Sequence, residues 1–121
     1  MALAVIKLIE ELRRTEATVV IGRQLLRSGM SVGANYRSAC RAKSRADMSH
    51  KLAIVEEELD ESAYRMEPVV ESGHLSSRDA DPLMKEVQEL LAMTVASRRT
   101  LARPLDGAKI ENRKSKIENP K

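Results

Sequence analysis

Three arginines, Arg37, Arg41 and Arg45, recur at steps of four residues and must share one helix face. Arg27 falls within about 80° of that stripe at 100° per residue. A row of this kind can neutralise spaced phosphates. The chemistry it predicts is salt-dependent, largely sequence-independent binding of RNA or DNA. Aromatic platforms for unpaired bases are nearly missing, since the chain holds Tyr36 and Tyr64 but no Phe or Trp. Recognition would therefore be led by the phosphate backbone. The same arginines also suit a plainer role, solvated or paired with an acidic face of another subunit.

Other chemistry finds less support. No glycine loop with a following Lys and Ser/Thr could cradle a phosphate, and no nucleophile elbow is present. Cys40, His50 and His74 have no sequence context of a catalytic pair. Glu71-Ser-Gly-His74 matches one half of a di-iron ligand pattern, which needs a second copy and two further Glu on helix interiors. The expectation is a non-enzymatic protein with no metal and no cofactor.

Helices must position the arginines. Ile21, Leu25, Ser28, Val32, Asn35 and Ala39 follow steps of four and three, the seam of a helix packed in a bundle. Polar Ser28 and Asn35 on that seam need hydrogen bonds, and they read as register-setting residues together with Ser31. This second helix is expected from Thr15 to Lys43, with a kink near Gly29–Ser31. A first helix, Leu3 to Arg13, places Val5, Ile6, Ile9 and Leu12 on one stripe. The third carries Met48, Leu52, Val55, Leu59, Ser62, Met66 and Val69, begins after Ser44 or Asp47, bends at Pro68 and stops at Gly73. The fourth starts after Ser77 or Asp81 with Pro82 at a first helical position, carries Leu83, Val87, Leu90, Thr94, Ser97 and Leu101, and ends at Pro104. On helix three, Glu58 flanks the seam much as Arg27 flanks that of helix two, so a buried or half-buried pair between them is expected to set helix order.

Composition agrees with a single helical domain. The 121 residues are 32% charged and 2% aromatic, leaving Leu, Val, Ile, Met and Ala to build the core. One cysteine excludes a disulfide framework and fits a reducing compartment, and no apolar run reaches membrane-spanning length. A cytoplasmic location follows as an expectation. The net charge of +3 is unevenly spread: residues 1–45 are strongly basic and residues 46–103 acidic. That split favours packing between halves, contacts between subunits, or a basic surface for a polyanion. Residues 104–121 contain a near-repeat around Lys109-Ile110-Glu111-Asn112 and Lys116-Ile117-Glu118-Asn119, with too little apolar surface to fold alone.

The run Arg23 to Arg37, RQLLRSGMSVGANYR, closely resembles the signature of the bacterial four helix bundle protein family, also called the 23S rRNA intervening-sequence proteins. The likeness continues through Ser44–Asp47, Lys51–Ile54 and Glu58–Tyr64, where Glu58 and Glu61 match the family motif, and it covers about residues 3 to 103. It implies an antiparallel four-helix bundle assembled into a homopentamer, with no settled activity. Members are encoded within 23S rRNA genes, and a related retroelement accessory protein binds nucleic acid and a reverse transcriptase. Met48 stands where the family has an aromatic residue and Arg65 where it has a Trp. Pro68 interrupts helix three, and relatives extend helix one upstream of Leu3.

The resulting expectation is an all-α, antiparallel up-down-up-down four-helix bundle over residues 1–103, followed by a disordered basic tail over 104–121. Its leading function is that of an RNA-binding accessory protein using Arg37, Arg41, Arg45 and Arg27. The alternative is a protein–protein scaffold whose charged faces mediate oligomerisation only. Ser28, Ser31, Asn35, Glu58 and Glu61 are assigned structural, register-setting roles.

Overall fold

The computed structural model describes residues 1–104. They form four helices: α1 (Ala2–Glu11), α2 (Glu16–Cys40), α3 (Arg45–Glu71) and α4 (Ser77–Ala102). The expected tail lies, from residue 105 onward, outside the described residues. α2 packs along α3 and α3 along α4, while α1 bridges α2 and α4. Short connections make sequential neighbours antiparallel.

The apolar periodicity places the core. Leu25 and Val32 of α2, Leu52, Val55, Leu59, Met66 and Val69 of α3, and Leu83 and Val87 of α4 are buried together with Val5 and Leu8 of α1. Polar seam residues answer their own needs: the Ser62 hydroxyl donates to the Glu58 carbonyl at 2.8 Å and Thr94 to the Leu90 carbonyl at 2.7 Å. Both are i→i−4 bonds that keep a buried hydroxyl satisfied within its own helix.

Helix ends differ from expectation in instructive ways. α2 stops at Cys40 instead of Lys43, because Arg41 leaves helical geometry (φ −108°, ψ 14°) and the next helix starts four residues later. Thr15 caps its start, its Oγ1 accepting from the Thr18 amide at 3.2 Å while Thr18 Oγ1 accepts from the Thr15 amide at 2.8 Å. Ser44 caps α3 through the Asp47 amide at 3.0 Å. α3 runs through Pro68 to Glu71, with Pro68 on the solvent side, where water can reach the backbone left without its donor. Gly73, at φ +81°, then ends it: its amide donates to the Val70 carbonyl at 3.0 Å and the His74 amide to Val69 at 3.2 Å. This paired arrangement satisfies carbonyls that a helix end otherwise orphans. α4 is capped by Ser76, so Pro82 sits in the second turn, not at the first helical position.

α2 is one uninterrupted helix across Gly29–Ser31. Its glycines there serve packing. A Cβ on Gly29 would lie 3.3 Å from Val5 Cγ2, and one on Gly22 would lie 3.5 Å from Ile9. α1 rests directly on this glycine edge.

Candidate nucleic-acid interface

Because α2 ends at Cys40, the three sequence-predicted arginines do not share a helix face. Arg37 is in the last turn of α2, Arg41 is its C-cap, and Arg45 opens α3. The continuous stripe is thus replaced by a basic end. The antiparallel fold brings the C-terminus of α2, the N-terminus of α3 and the C-terminus of α4 together, adding Lys43, Arg99 and Arg103 to the three. All six side chains belong to exposed residues. Asp47 is the single carboxylate in the stretches 37–51 and 96–104. None of the ion pairs among the described residues involves Arg37, Arg41, Lys43, Arg45, Arg99 or Arg103.

Arg45 has a second occupation. Its Nη2 donates to the Leu101 carbonyl at 3.0 Å and to the Thr100 carbonyl at 3.3 Å. Terminal carbonyls of a helix lack intrahelical donors and gather partial negative charge, so a guanidinium there ties α3 to the end of α4. Of the predicted arginines, Arg45 is therefore partly committed to holding the end together. Neighbouring Arg98 is committed further, its Nη1 lying 2.6 Å from Glu56 Oε1 across α3 and α4.

Arg27 lies elsewhere. It is almost three turns before Arg37 and faces the middle of α3, where its Nη1 is 3.7 Å from Glu58 Oε2. The Arg27 side chain is 61% exposed and that of Glu58 15%, so the expected pair forms at the rim of the interface between the helices. An exposed partner at this distance contributes little, on the order of 0–1 kcal/mol.

The cross-helix bond that the sequence did not announce involves Arg65. Its Nη1 donates to Ser28 Oγ at 2.6 Å, and its Nη2 is 3.3 Å from Glu61 Oε1. Ser28 is completely buried, so this contact supplies the partner its hydroxyl requires. Arg65 replaces an expected aromatic residue, and its stem can still cover apolar surface while its head reaches the serine. Asn35 behaves differently from its predicted role. It is half-buried and its Nδ2 donates to Ser31 O at 2.9 Å and Ser31 Oγ at 3.1 Å, both within α2. Asn35 and Ser31 form a local pair and make no hydrogen bond to another helix; Ser28 is the seam residue bonded across.

No helix among the described residues is long and apolar enough to cross a membrane. No curated protein matches the chain. Among solved structures, it is similar to a protein of unknown function from the S23 ribosomal protein family of Bacteroides thetaiotaomicron VPI-5482. That similarity has a TM-score of 0.72 and 29% identity, covering 78% of this chain and 88% of the other. The family model described as 23S rRNA-intervening sequence protein matches residues 1–96. With a signature spanning most of the described bundle and a matching fold, the chain belongs to the 23S rRNA-intervening sequence protein family.

Proposed function

We propose that this protein is a cytoplasmic, non-enzymatic accessory protein that binds structured RNA through the basic end of its bundle. The observation that supports this reading is the convergence of Arg37, Arg41, Lys43, Arg45, Arg99 and Arg103 on exposed positions around one carboxylate, Asp47. Guanidinium groups hold phosphate oxygens bidentately and are weakly hydrated, so a cluster of them suits a backbone-led contact. The printed family name associates its members with 23S rRNA genes, which makes RNA the first polyanion to test.

Self-assembly is part of the same proposal, as a homopentamer by family likeness. It draws support from apolar surface away from the basic end: Leu3 is 77% exposed, Val20 53% and Ile6 41%. Large exposed apolar groups of this kind favour contact between copies. The scaffold reading, in which charged faces serve oligomerisation alone, instead sets the basic end against acidic groups of another copy.

Two measurements on one variant separate them. Changing Arg37, Arg41 and Arg103 together to Gln leaves helix propensity nearly constant. Affinity for structured RNA should fall, and the slope of log K against log salt should shrink by roughly two to three units. Sedimentation of the same variant should show unchanged assembly. Weakened assembly at low salt with no RNA binding by the parent protein would instead establish the scaffold.

A further inference from the structure

We infer that the outer face of α3 around Tyr64 docks a second copy of this chain, which meets it with the arginine face of α2. This rests on the self-assembly reading and deepens it by naming the two surfaces that join. α3 carries the first. Between Glu56 and Glu71 the one basic residue is Arg65, and it turns to Ser28 and Glu61. Tyr64 points outward instead and is 71% exposed. Its neighbours three, four and seven residues away along the helix are Glu57, Asp60, Glu61, Glu67, Pro68 and Glu71. Of these, Glu57, Asp60, Glu67 and Glu71 are exposed and make no ion pair among the described residues. Pro68 has no N–H to give the Tyr64 carbonyl, which leaves a backbone acceptor in the same place.

α2 supplies the complement. It has no carboxylate after Glu16, and Val20, Arg23 and Arg27 are exposed on its outer side, away from Gly22 and Gly29 where α1 lies. Arg23 makes no ion pair among the described residues, and Arg27 reaches Glu58 only at 3.7 Å. The two faces belong to neighbouring helices but stand on adjacent corners of the bundle and point apart, so they leave each other's charges unmet. A second copy brings the missing partners. Guanidinium groups pair with carboxylates and lie against aromatic faces, so Arg23 and Arg27 fit acidic groups gathered round a tyrosine. Val20, 53% exposed, adds apolar area to the contact.

Register and symmetry follow from the fold. Arg65 reaches Ser28 and Arg27 reaches Glu58, which sets α2 and α3 level with each other in antiparallel order. Copies related by an axis along the bundle keep those levels. Arg23 then meets the stretch from Tyr64 to Glu67 of the partner subunit, and Arg27 meets Asp60 of the partner subunit. Because the contact joins two different surfaces on adjacent corners, each copy is turned relative to the last, and the row curves into a closed ring. Arg37 and Arg41 stand level with the first turns of α3, where the exposed residues Ala46 and His50 carry no carboxylate. The basic ends therefore stay outside the contact and gather on one rim.

A charge exchange tests this. Arg23→Glu and Glu67→Arg alter exposed residues that make no ion pair among the described residues, so each variant folds, as circular dichroism should show. In sedimentation of the full chain the parent should form oligomers, and each single variant should raise the dissociation constant at least about tenfold. The chain carrying both changes has opposite charges across the contact again and should return to the parent's oligomer. Oligomers that persist unchanged in both single variants overturn the contact and leave self-assembly standing. A double variant that assembles no more tightly than the single ones overturns it too, since the two positions then do not meet. A parent chain that stays monomeric at every concentration overturns the self-assembly reading as well, and assigns the Tyr64 face to a different protein.

Discussion

The two halves of α2 both carry small residues and meet different surroundings. In the first half, small residues mark where α1 lies close: Gly22 against Ile9 and Gly29 against Val5, with Ser28 buried beside them and bonded to Arg65. In the second half the same kind of residue, Gly33, borders open space, and Asn35 turns back to Ser31 in its own helix. One half is specified by neighbours. The other presents apolar and basic groups outward, and the RNA-binding reading falls there.

The comparison breaks first at its covered half. Gly29→Leu forces side-chain atoms into Val5 and the backbone of Ala2, and overpacking of this kind costs roughly 1–3 kcal/mol. Thermal melting should show the loss. A stable Gly29→Leu protein would mean that α1 is readily displaced and that the halves differ less than their contacts indicate.

A comparable loss is expected at the polar crossing. Arg65→Ala leaves the buried Ser28 hydroxyl without its cross-helix partner, at a cost of about 1–3 kcal/mol. Ser28→Ala added to that variant should recover part of the loss, since no unpaired hydroxyl remains. A double-mutant cycle with zero coupling between the two sites would remove this bond from the account of helix order.

The uncovered half should respond with the opposite sign. Gly33→Ala places its Cβ in open space and gains helix propensity, so urea unfolding should show a protein more stable by up to about 1 kcal/mol. The pairing of Gly29→Leu and Gly33→Ala tests the contrast directly, because both replace glycine on the same helix edge. The smallest effect belongs to Asn35→Leu, which removes a local, half-buried bond and should change stability by no more than about 0.5 kcal/mol. Oligomeric state, followed by light scattering, should stay as it is, since the bond it removes lies within α2.

Much of the fold was legible in the residues. The seam of α3 from Leu52 to Val69 is buried as its spacing requires, and Ser44 and Gly73 act as the start and stop signals that they chemically are. Helix type follows from periodicity, which is local. The end of α2 was not legible, because Ala42 and Lys43 could continue a helix as well as leave one. The Arg27–Glu58 contact was legible from two flanking positions, but its looseness and exposure were not. Arg65 had no signal pointing to Ser28, thirty-seven residues away, apart from the oddity of an arginine in an aromatic's place.

Sequence by itself determined that four amphipathic segments would bury one seam each and that positive charge would concentrate before residue 45, since periodicity and charge are properties of the chain. Only tertiary structure decided where that charge stands. Ending α2 at Cys40 dissolves the stripe of Arg37, Arg41 and Arg45, and antiparallel packing rebuilds a basic end with Arg99 and Arg103 from the far side of the chain. It also decided which glycine is covered. Gly29 and Gly33 are equivalent in sequence, and the reach of a ten-residue α1 makes one a packing contact and leaves the other open, because contact depends on which helix lies alongside rather than on the residue itself.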